Sequence, residues 1–184
     1  MSRAHNIVSK GTTERYSEAV AKLRSPGDYV LVVRGQPRSI VMVCPDGCGE
    51  NITINLDRRT GKAWRKYETG EKLTIYPSVW RDTGCCAHFI VWKDRIIWCG
   101  GGSSSGVTLD ETLIVSVLSK LSAESYSSFE SIAEDIQLIP WEALWACEEL
   151  VRRRQCVEGN KGTYRRIGSI DTPSGGSGRI NILA

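Results

Sequence analysis

Two cysteine-bearing turns, far apart in the chain, constrain its fold more than any other feature. The first is "CPDGCGE", Cys44 to Glu50, with two thiols four positions apart around a proline and a glycine. The second is "GCCAHF", Gly84 to Phe89, with Cys85 and His88 in Cys-x-x-His spacing. Zinc takes four ligands in a tetrahedron, usually cysteine and histidine, and close pairs on turns converge at low strain. Pro45 stiffens the first turn, and Gly47 and Gly49 permit the backbone angles such a turn needs. Cys44, Cys48, Cys85 and His88 therefore form a candidate Cys3His set. If they share one ion, the chain must fold so that the two turns meet.

Alternatives remain at this site. Cys86 adjoins Cys85 and could replace it. Cys99 ends a hairpin that His88 begins; with a turn at Asp94-Arg95 it would face Ile90, one step from His88. Cys147 lies on a helical apolar stripe and Cys156 starts a short strand, so both read as small buried hydrophobes. Seven cysteines is an odd number for a paired disulfide framework. No apolar run approaches the roughly 18 residues of a membrane span, and the N-terminus lacks the apolar core of a secretory signal. These features lead us to expect a soluble cytoplasmic protein, where thiols serve as ligands rather than bridges.

The pattern changes at "CGGGSSSG", Cys99 to Gly106, which reads as a flexible linker. Charge changes there too. Residues 1–109 hold 16 Lys and Arg against 10 Asp and Glu, whereas residues 110–184 hold 8 against 11. The expected organisation is an N-terminal segment with a short helix (1–26), a β-rich zinc-binding domain (27–99), a linker (100–108), a winged-helix-like domain (109–168) and a flexible tail (169–184). The fold class is α+β.

Before the linker, "YVLVVRG", "RSIVMVC", "NITINL", "KLTIYPSVW" and "HFIVWKDRIIWC" read as strands, the last a hairpin turning near Lys93-Asp94-Arg95. Pro77 is expected to end its strand or confine it to an edge. "RYSEAVAKL" reads as a helix. After the linker the period is helical. Asp110 is expected to cap one helix, a Ser127–Glu130 capping box a second, and Pro140 occupies the first turn of a third. A small hairpin follows. Helices followed by a hairpin resemble the winged-helix superfamily, a variant of the helix-turn-helix.

Four protein ligands leave no open position for substrate, so the zinc is expected to be structural. No Ser-His-Asp order, phosphate-binding glycine loop or paired-histidine metalloprotease motif is present in the sequence, and no catalytic residue is assigned from it.

Cys-Pro-x-Gly-Cys-Gly at 44–49, Pro77-Ser78 in "YPSVW", and Cys-x-x-His-Phe at 85–89 together resemble a bacterial family of unknown function, DUF6527, over residues 27–99. Many members carry another cysteine in the first turn, where this chain has Asp46. The departure leaves one thiol fewer, which makes Cys85 and His88 harder to replace. The resemblance implies a small zinc-binding β module. It also implies partners among ubiquitin-like proteins and their E1-like and E2-like enzymes, in gene neighbourhoods associated with phage defence.

The expected function is thus a non-enzymatic zinc-binding adaptor that recruits a protein partner, with Trp64, Trp80, Trp92 and Trp98 as interface candidates. A DNA-binding alternative rests on the winged helix, with Arg152, Arg153, Lys161, Arg165 and Arg166 as its phosphate contacts. The acidic balance of that half opposes it. The basic run instead lies in the other half, with Arg58, Arg59, Lys62, Arg65 and Lys66 within nine residues. A third alternative is a cysteine-dependent conjugation factor using Cys85 or Cys86.

Overall fold

A computed structural model of the chain describes residues 2–100 and 107–168. The fold is α+β, in two compact units, Met1–Val107 and Thr108–Ala184. Most of the stretch expected to be a linker (101–106) and the whole expected tail (169–184) lie outside the described residues.

The first unit is β-rich. One sheet has the order β1-β2-β3-β4, from Val8–Thr13, Asp28–Arg34, Gln36–Val43 and Asn51–Asn55. The other runs β5-β6-β7-β8, from Arg65–Thr69, Lys72–Trp80, His88–Trp92 and Arg95–Trp98. Alternating side chains from both sheets meet in one core. Ile40, Met42 and Ile54 come from the first sheet, and Ile75, Phe89 and Val91 from the second. On the outer face of the first sheet, α1 (Tyr16–Lys22) lays Ala19 over Val30, Val32, Val41 and Val43.

Three features depart from the sequence expectations. β1, "VSKGTT", has a single large apolar residue and is almost wholly exposed, so only its parallel pairing with β2 makes it a strand. β5 begins with Arg65 and Lys66 at the end of the basic run, where no strand was expected. β6 continues through Pro77 as an inner strand. It does so because its register against β7 slips between Ile75 and Val79, and a bulge removes the need for a ladder bond from proline.

In the second unit, α2 (Glu111–Lys120) is capped by Asp110, whose carboxylate accepts from the Thr112 N–H at 2.8 Å. The cap of α3 (Phe129–Asp135) is Ser128, one residue later than expected, because Ser127 and Ser128 form the short strand β9. α4 (Pro140–Arg152) buries Ala143, Ala146, Cys147 and Leu150. β10 (Cys156–Glu158) and β11 (Thr163–Arg166) complete a sheet of order β10-β11-β9. No helix among the described residues is long and apolar enough to cross a membrane.

Candidate active site and metal site

The turn between β3 and β4 closes with the Cys44 N–H donating to the Glu50 carbonyl at 2.8 Å and the Gly47 N–H to the Cys44 carbonyl at 3.1 Å. Gly49 sits at φ +84°, a conformation that favours glycine. The turn faces the loop joining β6 and β7, residues 81–87. There Cys44, Cys48 and Cys85 come together, with their sulfurs all within 4.8 Å of one another. The Cys44 and Cys85 sulfurs are 3.6 Å apart. A tetrahedral ion with 2.3 Å bonds needs sulfurs about 3.8 Å apart, so the donor set fits a thiophilic cation. Cys44, Cys48 and Cys85 could hold a metal ion.

The local electrostatics match that use. Burial pushes the Cys44 thiol up to about 12, whereas the Glu50 backbone N–H draws Cys48 below the ordinary thiol value. A bound cation deprotonates both. The Arg81 guanidinium places Nη1 3.4 Å from the sulfurs of Cys48 and Cys85, and its other arm pairs with Glu50. Negative charge on this cluster is thus met by a fixed cation. A Cβ on Gly84 (φ +67°) would lie 3.2 Å from Arg81 Nη2, so this position favours glycine for conformation and for space.

His88 is elsewhere. It opens β7 half-buried, and its Nε2 is 3.0 Å from the hydroxyl of Ser78 on β6. The register explains the meeting. Trp80 pairs with His88 and Val79 with Phe89, which leaves Ser78 diagonal to His88. A diagonal pair lies on the same face of the sheet, and the register slip between Ile75 and Val79 lies beside it. Trp64 holds the same residue from below, its indole N–H donating to the Ser78 carbonyl at 3.2 Å. Trp80 packs over the imidazole, with ring centroids 5.9 Å apart, and is itself 68% exposed. No described residue hydrogen-bonds to Nδ1, the other ring nitrogen of His88. A serine hydroxyl on an imidazole nitrogen is the minimal arrangement of a nucleophile and its base.

The two sites share one structural element. The loop 81–87 carries Cys85 and is flanked by the strand ends bearing Ser78 and His88. The Arg81 N–H donates to the Ala87 carbonyl at 2.9 Å across it. Clamping Cys85 to the first turn therefore fixes the mouth of the β6–β7 hairpin.

Of the expected metal residues, the structure gathers Cys44, Cys48 and Cys85 and sets His88 with Ser78. The exposed Cys86 and the half-buried Cys99 are outside the group. The β7–β8 hairpin turns at Lys93-Asp94, both with positive φ, so Cys99 lies opposite His88 rather than Ile90. Ser78 drew attention only as part of a family motif. The signal available was a serine and a histidine close enough in sequence to lie on adjacent strands of one hairpin. Two of the residues expected to touch DNA are engaged by carboxylates. Arg152 pairs with Glu149, and Arg153 with Glu149 and Glu111. The Arg165 guanidinium lies 5.7 Å from the Tyr126 ring centroid.

No curated protein and no solved structure matches the chain. Residues 15–99, a segment that holds all three clustered thiols together with Ser78 and His88, match the model of the family described as bacterial ubiquitination-like system serine protease (BubE), which links this part of the chain to bacterial ubiquitin-like systems.

Proposed function

We propose that the first unit is a metal-stabilised serine peptidase of a bacterial ubiquitin-like system, with Ser78 as nucleophile and His88 as general base. The observation that carries this is the 3.0 Å approach of Ser78 Oγ to His88 Nε2, within the segment that matches a family described as a serine protease. The bond cleaved is a peptide or isopeptide bond of a ubiquitin-like protein, following that description.

With the imidazole proton on Nδ1, Nε2 accepts from the hydroxyl. As Oγ attacks the carbonyl carbon, the proton passes to Nε2. The imidazolium then returns it to the leaving amine, and water repeats the sequence to release the acid. Trp80 limits the tilt of the ring and Trp64 fixes the nucleophile's backbone. Zinc is the metal we assign to Cys44, Cys48 and Cys85, and its contribution is a cross-link between the first turn and the β6–β7 loop. In this reading His88, expected as a fourth ligand, serves Ser78 instead.

A non-enzymatic adaptor is the contrasting reading. The exposed Trp80 supports it, as a surface aromatic suited to a protein interface. The sheet order β10-β11-β9 behind three helices supports a winged-helix arrangement for the second unit. DNA binding by that unit has less support, because acidic side chains already engage Arg152 and Arg153. A protein-docking role suits it better.

The test is labelling of the full chain with a fluorophosphonate probe, together with hydrolysis of a C-terminally extended ubiquitin-like substrate. Labelling is expected at Ser78 and is lost in Ser78→Ala. In His88→Ala, hydrolysis falls by about 100-fold or more while circular dichroism is unchanged. Wild-type protein that retains its fold and metal yet neither labels nor cleaves would overturn the peptidase reading and leave the adaptor.

A further inference from the structure

The cations of the basic run "RRTGKAWRK", Arg58 to Lys66, have no part in the chemistry above. In the fold it makes one 3-10 turn, Arg58–Thr60, and enters the edge strand β5. The run forms one side of a groove of about 600 Å3 with an apolar floor of Pro37, Leu56 and Trp64. Arg58, Arg59, Arg65 and Lys66 line it; Asp57 is the one carboxylate among the lining residues, and Lys66 pairs with Glu68 at 2.6 Å. The Asp57 carboxylate is 5% exposed and is already paired with Arg38 and Arg59. Arg58 is exposed and makes no ion pair with any described residue. The groove therefore offers the apolar side chains of Pro37, Leu56 and Trp64 along its floor and, at Arg58 on its rim, a positive charge that no described carboxylate meets.

Its position adds to this. Trp64, on the floor, is the residue whose indole holds the Ser78 carbonyl. A chain seated in the groove would press on the side chain that fixes the candidate nucleophile. Binding away from the scissile bond is how a protease uses remote contacts to orient its substrate.

We propose that this groove binds an extended acidic segment of a protein, with carboxylates on the Arg58 rim and apolar side chains on the Pro37–Leu56–Trp64 floor. That this protein is the substrate rests on the peptidase reading; the binding itself does not. Charge complementarity at Arg58 selects an acidic occupant, and the apolar lining of Pro37, Leu56 and Trp64 selects a peptide with apolar side chains over a nucleic acid.

The test uses full-length Ser78→Ala protein and a fluorescein-labelled decapeptide alternating Glu and Leu, followed by fluorescence anisotropy. Saturable binding is expected, severalfold weaker at 200 mM than at 50 mM salt. Adding Arg58→Glu should weaken it at least tenfold with the circular dichroism spectrum unchanged. Lys120→Glu, the same charge change in the other unit, should leave it within twofold. The Lys-for-Glu peptide should not bind. Absence of acidic-peptide binding, or equal effects of Arg58→Glu and Lys120→Glu, would overturn the proposal. So would tighter binding of a 20-residue oligothymidylate that is equally sensitive to Arg58→Glu, which would make the groove a nucleic-acid site. Peptide binding alongside a wild-type protein that takes no fluorophosphonate would keep the groove and reject the peptidase; labelling without peptide binding would do the reverse.

Discussion

Asp28 begins β2 almost sealed from water, and its partners decide how it titrates. Burial raises its pKa, but the N–H groups of Ser25 and Arg24 and the Lys10 ammonium outweigh that and hold it below the ordinary 3.8. Oδ2 accepts from the Arg24 and Ser25 N–H groups at 3.1 and 3.0 Å, and Oδ1 meets Lys10 at 3.2 Å. A carboxyl whose folded pKa is depressed stabilises the fold above its unfolded pKa, and this contribution is lost as pH falls through the lower folded value. Asp28→Asn should therefore cost about 1–2 kcal/mol at pH 7. Urea midpoints of the variant and wild type should converge between pH 4 and pH 2. A gap that stays constant over that range would show that charge is not what Asp28 supplies. At this scale Ser78 carries no local signature. Nothing in "YPSVW" marks its serine as different from any strand serine until a histidine is placed against it.

At the scale of elements, α4 and β10 carry the two buried thiols outside the cluster. Cys147 and Cys156 are buried, and burial pushes them up to about 12 and 11. Thiols that are buried and protonated do not react. Native protein should leave both unmodified by iodoacetamide at pH 8, with the exposed Cys86 alkylated first, and both should become modified in denaturant. Mass mapping of the adducts reads this directly, and early labelling of Cys147 would show that the apolar face of α4 is open. Helix periodicity foretold this burial, because a stripe at 3.6-residue spacing has one face to hide. The caps were legible for a similar reason. Asp110 acts on its own turn, whereas the start of α3 follows long-range pairing of Ser127 and Ser128 with β11, and the cap falls at Ser128.

At the scale of the molecule, all three clustered thiols lie in the first unit. Metal removal should act there and leave the second unit intact. Chelation, or Cys44→Ser, should raise amide exchange in β6 and β7 by at least tenfold, with protection of α2, α3 and α4 unchanged. Equal loss of protection in both units would refute this division. Loss of Ser78 labelling should accompany the change in β6 and β7, since the cluster anchors the loop between the strands that carry Ser78 and His88.

The sequence alone settled what depends on near neighbours. It placed the switch from strand to helix, most strand positions, the Asp110 cap and the two thiol-bearing turns, because each follows from side-chain period or turn chemistry within a few residues. Only the tertiary structure decided which groups His88 meets. Successive strand residues point to opposite faces, and the register between strands decides which of them meet, so spacing in the chain cannot say whether His88 turns toward Cys85 or toward Ser78. The slip between Ile75 and Val79 depends on pairing between β6 and β7. Likewise, β1 and β5 are strands because a neighbour supplies their hydrogen bonds, and that long-range pairing has no local signature.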